Sequence, residues 1–106
     1  MGAPFTLLYN AGVSGNTTTQ MLDRISDVTS YYPDWCIFQG GINDVKAGTL
    51  TAAQITANIQ NICTQLTERN IRVVFLALPP NTESAGNSVK VQTVNQAIRE
   101  WCKRTY

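Results

Sequence analysis

The chain has 106 residues, 43% hydrophobic and 14% charged, with 8 Lys+Arg against 7 Asp+Glu for a net charge of +1 and no histidine. That composition belongs to an ordinary globular chain and excludes disordered or fibrous ones, while the balanced charge excludes the basic footprint of a nucleic-acid or membrane-surface binder. No stretch approaches the roughly 20 apolar residues of a membrane-spanning helix, and Met1 to Asn10 lacks the charged start and long apolar run of a signal peptide, so the compartment is left open.

Phe5-Thr6-Leu7-Leu8-Tyr9 is a short apolar run of strand formers closed by Asn10, Gly12 and Gly15, which predicts a buried strand and a loop. Thr17 followed by Gln20 has capping-box spacing, and Thr18, Met21, Leu22, Ile25 and Val28 then mark one face of a helix that ends near Ser30 to Pro33. Asp34 to Gln39 reads as a second buried strand between Pro33 and Gly40-Gly41, followed by a loop to about Leu50. Thr51 and Gln54 form another capping-box pair ahead of Ile55, Ile59, Ile62, Cys63 and Leu66, an amphipathic helix, with Asn70 suited to the left-handed position past its end. Ile71 to Leu78 is an unbroken apolar, β-branched run, expected to be a central parallel strand covered on both faces and stopped by Pro79-Pro80. After the polar loop Asn81 to Asn87, Val91, Val94, Ile98, Trp101 and Cys102 predict a third amphipathic helix.

The order β-α-β-α-β-α implies an α/β domain with a parallel sheet and helices packed on its faces. Three-layer α/β domains usually need more strands than 106 residues supply, so residues 1–106 are expected to be one incomplete domain. Functional loops in such sheets leave the C-terminal ends of the strands, which points to Asn10 to Asn16, Gly40 to Thr49 and Pro79 to Asn87.

Cys36, Cys63 and Cys102 sit in apolar segments at spacings that match no zinc or CxxC pattern and are expected to be small core residues. Without histidine the usual general base and metal ligand are missing. No metal or organic cofactor is implied.

Two of the loops could carry chemistry. In Asn10-Ala-Gly-Val-Ser14-Gly15-Asn-Thr17 the glycines can turn tightly and expose N–H groups at a helix start, although they could equally serve only to make the turn. In Gly40-Gly41-Ile42-Asn43-Asp44, Asn43 offers an amide donor at the mouth of a strand and Gly41 lets other groups approach. Asp44 suits ordering of the loop by bonding nearby backbone N–H groups, and an Asx-turn leading to the next helix would account for the same residues. A backbone N–H of Gly15 and the Asn43 amide could converge as an oxyanion hole for the tetrahedral intermediate of acyl transfer.

Here the sequence resembles the SGNH hydrolases, also called GDSL-like esterases. Asn10 to Thr17 is similar to the family's second block, with Gly15 at the oxyanion glycine. Pro33 to Asp44 is similar to its third block, with Asn43 as the oxyanion asparagine. The likeness runs in family order through the helix after Asn43 and the Ile71 to Pro80 segment. It implies a three-layer α/β/α sandwich with a flavodoxin-like parallel sheet, and hydrolysis of acyl esters, including acetylated sugars, by a serine nucleophile.

The family's Gly-Asp-Ser and Asp-x-x-His blocks are not among these residues, so the isolated chain is expected to be inactive. Ser14 has no histidine to take its proton and is not expected to replace the nucleophile. Ser84 and Ser88 suit a turn or a helix cap. Lacking the family's central strand, the sheet would expose unpaired edges, which implies self-association or a complementing chain segment. Two other functions fit parts of the pattern: a non-catalytic binding or structural module of the same fold, and a flavodoxin-like module holding FMN or phosphate on Ser14 to Thr19.

Overall fold

The structure, a computed structural model, describes residues 7–81 and 83–105. In chain order it contains α1 (Thr18–Asp23), α2 (Ser26–Thr29), β1 (Trp35–Phe38), α3 (Ile42–Ala47), α4 (Ala52–Thr67), β2 (Arg72–Phe75) and α5 (Ala85–Thr105). β1 and β2 pair in parallel, Cys36 opposite Val73 and Phe38 opposite Phe75. The α/β class with a parallel sheet is therefore what the residues form.

Both capping boxes close as their spacing implies. Thr17 takes the backbone N–H of Gln20 while the Gln20 side chain takes that of Thr17, and Thr51 and Gln54 repeat the exchange at the start of α4. Each satisfies two of the donors that a helix start leaves without partners. α4 then buries Ile55, Ile59, Ile62, Cys63 and Leu66 along one stripe. It ends where Asn70 turns left-handed at φ 61° and the Ile71 N–H returns to the Leu66 carbonyl at 3.1 Å.

Four expectations need correction. The helix expected from Thr18 to Val28 is broken: around Arg24 and Ile25 the N–H groups reach back only three residues, at 3.3 Å each, and α2 restarts at Ser26. This change of direction still leaves Met21, Leu22, Ile25 and Val28 packed against the core. The loop expected from Gly40 to Leu50 contains α3, bracketed by Gly41 and Gly48 in left-handed conformations. The last helix begins at Ala85, inside the loop expected from Asn81 to Asn87, with the Ser84 hydroxyl taking the Asn87 N–H at 3.0 Å as a cap.

The fourth correction concerns the sheet. Of the expected strand Phe5 to Tyr9, Phe5 and Thr6 lie outside the described residues. Leu7 to Tyr9 form no strand: a strand exists through its neighbour's hydrogen bonds, and these residues have none among the described residues. Leu7 is 82% exposed, and Tyr9 stacks instead on Tyr31 with ring centroids 4.5 Å apart. β2 is likewise covered on one face rather than two. Its Val73 and Phe75 join Cys36 and Phe38 under the helices, whereas Val74 is 40% exposed and the neighbouring Ile37 of β1 72%.

Each strand has one unpaired edge among the described residues. The β1 edge faces a groove of about 1380 Å³ that runs between Leu7 to Gly15 and the sheet. The β2 edge faces a smaller one of about 850 Å³ beside α5.

Two further contacts fix the ends of the strands. Asn95 of α5 clasps the Leu78 backbone from both sides, accepting its N–H at 2.8 Å and donating to its carbonyl at 3.1 Å. Gly41 is both left-handed and crowded: at φ 113° an added Cβ would lie 3.2 Å from Leu78 and 3.3 Å from Ile55. Strain and crowding therefore add at one residue. Gly41→Ala is expected to lower stability by about 1–3 kcal/mol, read as a lower unfolding midpoint by circular dichroism; an unchanged midpoint would contradict this packing.

Candidate functional site

The first loop enters α1 through a tight turn. Val13, Ser14, Gly15 and Asn16 close it with an Asn16 N–H to Val13 carbonyl bond of 3.2 Å, and Gly15 at the third position has φ 82°. A positive φ there is the mark of a type II turn, which favours glycine. The turn leaves the Gly15 N–H without an acceptor among the described residues. An added Cβ on Gly15 would meet nothing within 4 Å, so the surrounding space is open. Ser14 occupies the exposed corner beside it.

Asn16, the next residue, is buried and holds the loop from three directions. Its N–H closes the turn, and its carbonyl accepts from the Asn43 side-chain amide at 3.0 Å. With its own amide assigned by its partners, Asn16 Oδ1 accepts from Arg24 Nε at 2.8 Å and Nη2 at 3.0 Å. Arg24 also donates to the Ala11 carbonyl at 2.7 Å and pairs with Asp27 at 3.1 Å.

The second loop supplies Asn43 and Asp44 from the first turn of α3. An amide nitrogen carries two hydrogens. The bond to Asn16 uses one of them, and the other meets no acceptor among the described residues. Gly15 and Asn43 are thus both held by way of Asn16, and both line the same groove beside β1.

Asp44 does not bond to its own loop. It is 1% exposed and accepts from the Thr18 N–H at 2.8 Å and the Thr18 hydroxyl at 2.6 Å, across 26 residues of chain. Asn58 of α4 donates to Thr18 Oγ1 at 3.0 Å and to Thr19 Oγ1 at 3.2 Å. The structure therefore brings Ser14, Gly15, Asn43 and Asp44 to one end of the sheet. Gly41 stays buried behind them as the cap of α3.

Sequence reasoning did not single out Asn16, Arg24, Asn58 or Asn95. The only local signal was an excess of amides and threonines near the strand ends, which by itself suits any polar loop.

The three cysteines are free thiols, Cys63 buried and the others half-buried. Burial pushes the Cys63 thiol up to about 11, with Cys102 and Cys36 adding to the rise, and burial also raises Cys36.

The model of the GDSL-like Lipase/Acylhydrolase family matches residues 2–106. The chain belongs to that family. No curated protein matches it. The family match spans both loops, so Gly15 and Asn43 lie inside a GDSL-like domain and not in an appended segment. Among the described residues no helix of this GDSL-like chain is long and apolar enough to cross a membrane.

A thiol with a pKa near 11 is ionised to roughly one part in a thousand at pH 8, where the thiolate is the reactive form. Cys63 is accordingly expected to resist iodoacetamide at pH 8 in the folded chain and to react once the chain is unfolded. Mass spectrometry of the labelled peptides reads this directly, and prompt labelling in the folded state would contradict it.

Proposed function

We propose that the chain carries the oxyanion half of an acyl-ester hydrolase site, with the Gly15 N–H and the Asn43 amide as its two donors. The observation that carries this reading is that both groups keep a hydrogen without an acceptor among the described residues although each is held through Asn16, whose N–H closes the Gly15 turn and whose carbonyl takes the Asn43 amide. Donors that are held in place yet unpaired are what a developing oxyanion needs, because they stabilise its charge with no reorganisation at the moment of reaction.

In the reaction a serine oxygen attacks the ester carbonyl carbon, its proton passing to a histidine, and the carbonyl oxygen takes up negative charge between Gly15 and Asn43. Collapse expels the alcohol, which receives the proton, and leaves the acyl group on the serine. Water, activated by the same histidine, then releases the acid. The serine and the histidine come from outside these 106 residues, which contain no histidine. Small acyl esters, acetylated sugars among them, are the substrate class.

A phosphate at the start of α1 is the competing chemistry. Against it stands Asp44, whose carboxyl oxygen sits 2.8 Å from the Thr18 N–H, the place an anion would take.

The coding sequence on either side tests the reading first. Gly-Asp-Ser in frame upstream and Asp-x-x-His downstream support a working esterase; stop codons or unrelated sequence there overturn it in favour of a binding or structural module. In the enzyme so completed, Asn43→Ala is expected to lower kcat toward a short-chain nitrophenyl ester on the order of a hundredfold or more. Unchanged turnover would remove Asn43 from the site.

A further inference from the structure

Asp44 is almost fully enclosed, and both of its carboxyl oxygens are spent on a residue of another element. A buried acid is costly unless its oxygens are satisfied, so this arrangement is held firmly. Thr18 completes it: the backbone N–H goes to Oδ1, the hydroxyl hydrogen goes to Oδ2, and the hydroxyl oxygen receives the Asn58 amide. Because Asn58 donates to that oxygen, the Thr18 hydroxyl has one sensible direction for its own hydrogen, toward Asp44. Three helices, α1, α3 and α4, therefore meet at one polar knot.

The knot lies next to both donors. Asn43 precedes Asp44 on a helix of six residues, so pinning Asp44 fixes the rotation of α3 and with it the direction of the Asn43 side chain. Thr18 lies two residues beyond Asn16, whose carbonyl receives the Asn43 amide. The N-cap of α3, Gly41, makes no side-chain capping bond, so the Asp44 to Thr18 pair, with the Asn43 to Asn16 bond beside it, anchors this end of the helix.

We propose that Asp44 is a positioning residue: through the Thr18 hydroxyl, itself oriented by Asn58, it aims the Asn43 amide so that one hydrogen is given to the Asn16 carbonyl and the other is left toward the Gly15 turn. The functional meaning of this rests on Gly15 and Asn43 being the oxyanion donors, but the positioning itself is measurable without any hydrolysis.

The test uses the 106-residue chain, labelled with nitrogen-15, and reads the two side-chain amide hydrogens of Asn43 by their NMR shifts and solvent exchange. Thr18→Val keeps the volume and the backbone N–H but removes the hydroxyl, whereas Thr18→Ser keeps the hydroxyl and removes the methyl. Thr18→Val is expected to speed exchange of the Asn16-bound hydrogen on the order of tenfold and to draw the two shifts together, as loss of a hydrogen bond to a charged group would. Thr18→Ser is expected to keep both signals as in the parent chain. Asp44→Asn, which offers one acceptor oxygen where Thr18 presents two donors, is expected to follow Thr18→Val; if it does not fold, the threonine pair still decides.

Thr51→Ala, which weakens the cap of α4 away from the knot, serves as the control for stability alone. It is expected to lower the unfolding midpoint without moving the Asn43 signals. Parent-like Asn43 signals in folded Thr18→Val overturn the proposal. So does an equal disturbance in Thr18→Ser, since that assigns the effect to packing of the methyl group. Failure of the ester-hydrolysis reading would leave all of these signals as expected, so the two failures are distinguishable.

Discussion

The contact on which the site depends is the enclosed carboxyl group of Asp44 against Thr18. An acid side chain has little reason to leave water unless donors meet it, and the donors here come from a segment 26 residues earlier in the chain. That requirement pulls the start of α1 against the start of α3, and the two loops after the first and second predicted strands meet as a result. The Asn43 to Asn16 bond follows from the two loops being drawn together at this point.

Much of the scaffold was legible because it is written in local spacing. The two Thr and Gln capping boxes, the apolar stripe of α4 and the left-handed Asn70 all depend on residues within one or two turns of each other. α3 was not legible, since Asn43, Asp44 and the bracketing glycines favour caps and turns over helix interiors; tertiary anchoring at Asp44 outweighs that preference. Leu7 to Tyr9 have the composition of a strand, yet composition cannot provide a neighbour to pair with. For the site, Gly15 and Asn43 were nameable through the family likeness, while local reading left a plain turn and an Asx-turn equally open. Asp44 bonding away from its own loop removes the Asx-turn. The Arg24, Asn16 and Asn58 contacts link residues far apart in sequence, which no spacing rule reveals.

The bare face and edges of the sheet bear on how such a site would be completed. Ile37 and Val74 stand exposed side by side, and the free edge of β1 lines the groove that also holds Gly15 and Asn43. A strand laid parallel to β1 along that edge would end at the side from which the functional loops leave.

The most direct measurement is a crystal structure of the complete enzyme, these residues together with its serine and histidine, after reaction with a nitrophenyl alkylphosphonate, which loses nitrophenol and leaves a tetrahedral phosphonyl group on the serine. The expected result is a phosphonyl oxygen within hydrogen-bonding distance of both the Gly15 nitrogen and the Asn43 side-chain nitrogen, with Asp44 still bound to Thr18. A phosphonyl oxygen held by other donors, with Gly15 and Asn43 turned away, would contradict the assignment of the site.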